Sequence, residues 1–482
     1  MFNNISLLLF VAAIITAHLM NKRKIALSIA AVYTFLAPVM VIGERRMNSN
    51  YLLTAALLIL LVSDLFRRRE VSRPRRQIAV YGGAMGIVLG MMTLGFVLYG
   101  TAGFTAFLMS MAGHVNIILL TLLFTIYASS LTNRDLVSAG KIVVLTFIIS
   151  QALMIAYQKL FFESAYYFTW YTYAGDSHYG PLRTMIVTWL TPYFYRAFGT
   201  FYSPTILGML SLLLTAVLAM IGVQQQDRKT SRRLMLASLA TATIGAFSLT
   251  KSFMLGIMLL AVYIALAVYL LSKDKKQQLK RWIQIPVVVI ISLGVAYFVV
   301  PEEGKPNRDY YYSFILNPFS AFDSRYQPVD PPDVTEDHTG GFIPPDTETP
   351  PEEGGVLVDA MEVVREHWLT GVGPVAIRGE FTGDSELLRV IHDGGIISVF
   401  AYIACFGYFF LRAVKHKLTI NLVMIPVIAL GSLALNFLTL NTSPLFMAVV
   451  LICDDVERRG GLLTYTGENP FDKDSPALSH AE

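Results

Sequence analysis

The stretch "PTILGMLSLLLTAVLAMIGV", residues 204–223, decides the fold class of this chain, because it holds 20 residues without a single charge. A helix of about 20 apolar residues spans the roughly 30 Å hydrocarbon core of a bilayer. In lipid such a run must be helical, since every backbone amide needs a partner within its own segment. The run therefore predicts a transmembrane helix.

Similar runs recur along nearly the whole chain. Hydrophobic residues make up 54% of the 482 residues, charged residues make up 15%, and the mean hydropathy is +0.54. These values exclude an ordinary soluble protein. They predict an all-α, polytopic transmembrane bundle of about twelve to thirteen spans with a large periplasmic loop late in the chain. The predicted spans are 4–20, 25–43, 51–66, 78–100, 108–131, 141–162, 204–223, 234–250, 252–271, 282–300, 395–412, 418–438 and 442–454.

Clusters of basic residues predict the orientation of these spans. The clusters "NKRK", "RRREVSRPRR", "DRKTSRR", "KDKKQQLKR" and "RAVKHK" are separated by even numbers of spans, so all can lie on the cytoplasmic side. The formal net charge of +4 is then explained by topology, and no nucleic-acid partner is expected. The first span lacks basic residues before its apolar core, so we expect it to stay uncleaved. The segment 101–113 could instead form an interfacial helix.

This parity divides the chain into six segments. They are the N-terminal spans 1–162, an aromatic outer segment 163–203, the central spans 204–300, a large periplasmic loop 301–394, the C-terminal spans 395–454 and a cytoplasmic tail 455–482. The aromatic segment could form an interfacial belt or a surface that stacks on sugars. The middle of the large loop is rich in Pro, Asp, Glu and Thr, which predicts a disordered insert.

Several cations fall on the predicted outer side, against the usual trend for basic residues. The candidates for binding an anionic group are Arg183, Arg196, Lys251, Arg325, Arg378 and Arg389. Each could also be a structural residue whose stem packs on apolar surface. Arginine suits a diphosphate because its planar fork forms two parallel hydrogen bonds.

The stretch "DSELLRVIHDGG", residues 384–395, holds the candidate acids and bases. If it begins a helix, Asp384 is either its N-cap, a catalytic carboxylate, or both. Glu386 and His392 are further catalytic candidates, although a histidine beside two glycines could also serve a hinge. The sequence has no nucleotide-binding, metalloprotease or serine-hydrolase motif and no metal-ligand cluster, so neither a metal nor another cofactor is expected.

Three segments together resemble the O-antigen polymerase and ligase family of bacterial membrane proteins. They are "RAFGTFYSPTILGMLSLLL" (196–214), "SLTKSFMLGIMLL" (248–260) and "HWLTGVGPVAIRGEFTGDSELLRVIHDGGIISVFAYI" (367–403). The resemblance implies that Arg196 and Lys251 bind diphosphate and that Asp384 orients or deprotonates the acceptor hydroxyl. It also matches Arg325 to an arginine at the start of the family's large loop. Ligases of the family tend to carry a His-Asn pair where this chain has Asp384 and Ser385, which favours the polymerase branch.

The resemblance implies a metal-independent, inverting glycosyltransferase of the bacterial inner membrane with its site facing the periplasm or the cell exterior. It would move a growing glycan from undecaprenyl diphosphate to a lipid-linked repeat unit. Its partners would be that lipid-linked oligosaccharide, membrane lipid, a chain-length regulator and export proteins. A ligase that transfers a finished glycan to a lipid or protein remains an alternative. A flippase is a third hypothesis, which predicts a charged path across the spans.

Overall fold

The structure is a computed structural model in which the residues described are 2–42, 45–66, 74–100, 103–173, 190, 194–201, 203–225, 227–271, 281–316, 365–374, 386–434 and 442–458. Most of these residues are helical. The helices are α1 Phe2–Leu19, α2 Arg23–Leu36, α3 Asn50–Phe66, α4 Arg75–Tyr99, α5 Phe104–Ser129, α6 Asn133–Leu160, α7 Phe162–Thr172, α8 Pro204–Gln224, α9 Arg228–Ala246, α10 Lys251–Leu271, α11 Gln284–Val299, α12 Lys305–Leu316, α13 Glu386–His416, α14 Thr419–Ala434 and α15 Ser443–Arg458. The strand β1, Met40–Ile42, pairs antiparallel with β2, Arg45–Met47, and a 3-10 turn covers Glu302–Gly304.

Six of the helices are long and apolar enough to cross a membrane, namely α1, α4, α5, α6, α8 and α13. The pair formed by α11 and the segment 302–313 would make a seventh span, although the two parts meet at a bend of 116°. The apolar helices α3, α10 and α14 are shorter. Every predicted span overlaps a helix, but among the described residues only six or seven helices qualify as spans by length and composition, fewer than the twelve to thirteen predicted. The structure is consistent with a membrane protein. The alternative of a separate interfacial helix over 101–113 is wrong, because residues 104–113 form the first turns of a continuous α5.

Helix α8 lies at the centre of the bundle. It packs against α9, α10 and α14, and 83% of its apolar window is buried. The outer helices expose large apolar side chains instead, such as Leu153 and Phe298. A helix that is apolar all round belongs in the interior of a bundle, and apolar outer faces suit a lipid environment. The stretch without charges is therefore the core of the fold.

Ion pairs and hydrogen bonds between charged or polar side chains join helix ends at one end of the bundle. Arg23 Nη2 lies 2.6 Å from Asp64 Oδ2. Asp454 accepts hydrogen bonds from Gln77 Nε2 at 2.7 Å and from Arg412 Nε at 3.0 Å. Because these pairs join the start of α4 to the final turns of α13 and α15, the three helices begin or end together here. We refer to this end as the basic end.

At the opposite end of the bundle, the start of α1 and the residues after α2 lie beside the end of α7. Asn3 Nδ2 donates to the carbonyl of Tyr171 at 2.9 Å, and the Val39 amide donates to the carbonyl of Thr172 at 2.8 Å. At the basic end Thr419 Oγ1 donates to Gln224 Oε1 at 2.9 Å. Helix α8 therefore ends at the basic end and begins at the opposite end, which we refer to as the α7 end. The start of α13 lies at the α7 end as well.

Candidate functional site

The structure describes some of the predicted site residues and leaves others outside the described ranges. Arg183, Arg325, Arg378 and Asp384 lie outside them. Glu386 is the first residue of α13, and only its backbone is described. The others fall into two groups at the α7 end. We call them the cationic cluster, formed by Lys159, Arg196, Lys251 and the neighbouring tyrosines 195, 310 and 311, and the histidine cluster, formed by His114, Arg389, His392 and Asp393.

Helix α6 holds the chain turn that carries Arg196. The Gln158 side chain accepts hydrogen bonds from the amides of Phe198 and Gly199 at 3.2 and 3.1 Å. Its own amide donates to the Gly199 carbonyl at 2.8 Å. The side chain is fully buried, so these bonds form away from competing water. Gln158 thus fixes the turn directly after Arg196.

A second glutamine two helical turns earlier fixes the next residue of the same turn. Gln151 Oε1 accepts from the Thr200 amide at 2.9 Å, and Gln151 Nε2 donates to Thr200 Oγ1 at 2.8 Å. The Thr200 hydroxyl in turn donates to the carbonyl of Phe35 at 2.7 Å. Gly199 has a φ of +58°, and a Cβ atom there would lie 2.0 Å from Gln151 Oε1. The turn therefore needs a glycine at this position, both for its backbone conformation and for space.

Arg196 itself bridges this turn to the connection between α9 and α10. Its Nε donates to the Ser248 carbonyl at 3.3 Å, and the neighbouring Ala197 amide donates to the carbonyl of Phe247 at 2.9 Å. The guanidinium carbon lies 5.2 Å from the centre of the Tyr311 ring. A guanidinium within about 6 Å of an aromatic face gains a cation–π interaction. The charged group is therefore held in place from two sides.

The α9–α10 connection presents Lys251 at the first position of α10. Leu249 adopts a φ of +45°, which turns the chain sharply before the helix. Thr250 Oγ1 accepts from the Phe253 amide at 3.4 Å, as an N-cap hydroxyl does. The Lys251 ammonium then lies 5.3 Å from the centre of the Tyr310 ring on α12. Because α8 and α10 both begin at this end, the positive ends of their dipoles add to the local potential.

Lys159, in the last turn of α6, is the cation that the sequence analysis missed. Part of its aliphatic stem is accessible, but its Nζ atom is buried and forms no hydrogen bond within the described part of the chain. The ammonium lies 4.0 Å from the centre of the Tyr195 ring. Burial raises the pKa of the Tyr195 phenol above its usual 10.0, so this group stays neutral at physiological pH.

Like charges meet in the cationic cluster. Lys159 lies against the ring of Tyr195, the residue directly before Arg196, and Arg196 and Lys251 lie against neighbouring tyrosine rings of α12. Holding positive charges together costs free energy unless an anion compensates them. The arrangement is therefore suited to binding a group with several negative charges.

The histidine cluster begins with a pair of adjacent residues near the start of α13. His392 Nδ1 lies 2.8 Å from Asp393 Oδ1, and both residues are buried. Since a carboxylate only accepts, Nδ1 carries the proton of this bond, and in a neutral imidazole Nε2 is left as the acceptor. Arg389 Nε lies 3.5 Å from the other oxygen of Asp393. This is the geometry by which a carboxylate orients a histidine for general base catalysis.

His114 on α5 completes the histidine cluster. Its Nδ1 lies 2.9 Å from the carbonyl of Ser110, which must accept, so Nε2 faces the Arg389 guanidinium as an acceptor at 3.5 Å. The contact joins α5 to α13 beside the His392–Asp393 pair. The sequence analysis placed His114 in an apolar span and assigned it no role.

Backbone hydrogen bonds hold the His392–Asp393 pair against residues 368–373. The Val372 amide donates to the His392 carbonyl at 2.9 Å, and the Gly373 amide donates to the Asp393 carbonyl at 3.0 Å. The Ile396 amide donates to the Trp368 carbonyl at 2.8 Å. We call residues 368–373 and 392–396 together the glycine interlock, because glycines 371, 373 and 395 all have positive φ. The interlock explains why glycines surround the candidate catalytic residues.

Within the described ranges, no three or more His, Cys, Asp or Glu side chains are grouped so that they could hold a metal ion. The two clusters offer instead positive charge with aromatic walls and a carboxylate-oriented imidazole. Comparisons with protein-family profiles, curated protein sequences and solved structures found no match for this chain. The chemistry of the clusters is therefore the basis for a functional proposal.

Proposed function

We propose that the protein is a bacterial inner-membrane polysaccharide polymerase that transfers a growing glycan from undecaprenyl diphosphate to a lipid-linked repeat unit. The observation that carries this proposal is the cationic cluster at the α7 end of the bundle. Arg196, Lys251 and two helix N-termini converge there on one region with aromatic walls. A lipid diphosphate presents its charge where the hydrocarbon ends, so a transferase for it needs cations at one end of the bundle.

In the proposed reaction an acceptor hydroxyl attacks the anomeric carbon of the donor glycan. A new carbon–oxygen bond forms, the bond from that carbon to the diphosphate breaks, and the anomeric configuration inverts. The diphosphate leaves with the bonding electrons, and Arg196 and Lys251 compensate its growing charge. Such contacts are stronger in a partly dry site than in water. No metal or other cofactor is required for this step.

The hydroxyl proton needs a base. His392 can accept it at Nε2 while Asp393 keeps Nδ1 protonated and stabilises the resulting imidazolium. Asp384 and Glu386, predicted from the sequence, remain the competing candidates for this role. The family resemblance favours Asp384, whereas the hydrogen-bonded geometry favours His392.

The location of the clusters argues against a flippase. A carrier of lipid-linked sugars would line a path through the bundle with polar residues. In the described part of the chain, the cationic cluster lies at the α7 end, and the Arg412–Asp454 pair lies at the basic end. A ligase would use the same chemistry as a polymerase and differs only in its acceptor.

The test is to replace the native protein in its host with Arg196→Ala at matched membrane abundance and to measure the sizes of lipid-linked and surface glycans. Arg232→Ala, a substitution of an exposed arginine at the basic end, is the matched control. A polymerase predicts that single repeat units accumulate in the first variant only. Long chains retained on undecaprenyl diphosphate would identify a ligase, and unchanged glycans would refute the assignment of the site.

A further inference from the structure

Lys159 combines features that a purely structural lysine seldom has. Its Nζ atom is buried, and within the described residues it donates no hydrogen bond. A buried ammonium without a partner costs several kcal/mol in general, which the fold must recover elsewhere or avoid. The residue lies in the last turn of α6, at the end of the bundle where the proposed substrate binds.

Two structural roles for this ammonium do not account for its position. A lysine in the last turn of a helix can bond the free carbonyls there. Lys159 forms no such bond, and the Tyr157 carbonyl accepts from the Phe161 amide at 2.9 Å. The Tyr195 ring, 4.0 Å from Nζ, offers a cation–π contact, which compensates only part of the lost hydration.

The neighbours of Lys159 point to an anionic ligand. Gln158, one residue earlier, fixes the turn that follows Arg196. The same helical turn therefore sets the positions of two cations, because Lys159 lies against the ring of Tyr195, the residue directly before Arg196. Arg196 and Lys251 in turn lie against neighbouring tyrosine rings of α12, so the three side chains come from different parts of the chain to the same end of the bundle.

We propose that Lys159 is a third diphosphate-binding residue, which contacts a phosphoryl group together with Arg196 and Lys251. This inference rests on the proposed function, because it takes the ligand to be the diphosphate of a lipid-linked glycan. The lipid diphosphate that leaves in the proposed reaction has one more ionisable oxygen than a lipid monophosphate, so three cations match its charge better. Lys159 therefore favours the diphosphate leaving group over a lipid monophosphate.

The experiment measures binding to the purified full-length protein in a neutral detergent by isothermal titration. The probes are farnesyl diphosphate, farnesyl monophosphate and inorganic pyrophosphate. Lys159→Met is compared with Arg196→Ala and with the control Lys141→Met, which removes an exposed lysine from the same helix. We expect Lys159→Met to lower the affinity for farnesyl diphosphate and for pyrophosphate about tenfold or more, as the loss of one charge-assisted contact does. The monophosphate should lose less, and Lys141→Met should change nothing.

The melting temperature of the ligand-free protein distinguishes a ligand-binding role of Lys159 from a merely structural one. Replacing an unpaired buried cation by an apolar side chain of similar length should leave the melting temperature unchanged or raise it. The increase in melting temperature caused by farnesyl diphosphate should shrink in the same variant. A fall in the melting temperature without ligand, together with unchanged binding, would show that Lys159 supports the fold only.

Failure of this inference can be told apart from failure of the proposed function. If Lys159→Met binds like the wild type while Arg196→Ala does not, the third residue is wrong and the proposed function survives. If the wild type binds none of the probes, or Arg196→Ala binds as tightly as the wild type, the proposed function itself is refuted. Weaker binding of farnesyl diphosphate alone, with pyrophosphate unaffected, would place Lys159 against the lipid chain and contradict the inference.

Discussion

Substituting Gly395 by alanine tests whether the glycine interlock holds the candidate catalytic residues in place. Gly395 has φ 66° and ψ −174°, a conformation that only glycine adopts readily. A Cβ atom there would lie 2.2 Å from the carbonyl oxygen and 2.3 Å from the carbonyl carbon of Leu369. Both are backbone atoms, so a side-chain rotation cannot relieve the clash.

The expected cost follows from these two effects. An alanine forced into this backbone conformation costs about 1–3 kcal/mol. If the backbone at Leu369 moves away instead, hydrogen bonds such as that from the Ile396 amide to the Trp368 carbonyl weaken, at about 1 kcal/mol each. We therefore expect the Gly395→Ala substitution to reduce the free energy of unfolding by about 2–4 kcal/mol.

The measurement is thermal unfolding of the detergent-solubilised protein, followed by tryptophan fluorescence, because Trp368 lies in the interlock. Gly407→Ala in the same helix is the control, since no atom lies within 4 Å of a Cβ there. That substitution should be neutral or stabilise by up to about 1 kcal/mol, as alanine favours helix over glycine. Equal melting temperatures for the two variants would refute the reasoning about the interlock.

Two further predictions concern other parts of the structure. Gln158→Leu removes three buried hydrogen bonds to residues 198 and 199, so it should cost about 2–4 kcal/mol of unfolding free energy and weaken farnesyl diphosphate binding. The exposed Gln284→Leu should do neither, and a normal melting temperature in Gln158→Leu would contradict the assigned role. Hydrogen bonds from the hydroxyl and amide of Thr230 hold the pKa of the Asp227 carboxyl below its usual 3.8. A carboxyl group whose pKa is lower in the folded than in the unfolded state stabilises the fold at a pH above the unfolded-state pKa. This stabilisation is lost as the pH falls through the folded-state pKa. The melting temperature of Asp227→Ala should therefore lie below wild type at neutral pH and converge with it in acid, and a constant difference would contradict this.

Hydropathy predicted the helices well because the membrane restricts the choices. A long apolar run has few stable alternatives to a helix when water is absent. The run 204–223 became the buried central helix, and residues 395–412 became part of α13. Hydropathy could not show that α13 already covers Glu386, nine residues before the predicted span. It also could not show that Gly395 interrupts the helix, because the interruption depends on contacts with residues 368–370.

The candidate site was predicted only in part. Arg196 and Lys251 stood out because the predicted topology places these cations on the outer side, against the usual trend for basic residues. Lys159 and His114 were missed because each lies within or beside a run whose overall composition is apolar. A usable signal was present, since polar side chains inside a predicted span mark functional or packing sites. Gln151 and Gln158, seven residues apart on one helical face, followed by Lys159, fit that rule.

The buried glutamines of α6 have a consequence for biosynthesis. When α6 leaves the ribosome, neither Gln151 nor Gln158 has the partners that fix the turn at residues 198–200, because those backbone and hydroxyl groups lie 40 to 49 residues further along the chain. Two amide side chains without these partners raise the free energy of a newly inserted helix in lipid. These two side chains gain the hydrogen bonds to these partners only when residues 198–200 dock against α6. We therefore expect truncation before residue 198 to leave α6 without these hydrogen bonds and exposed to quality-control proteases.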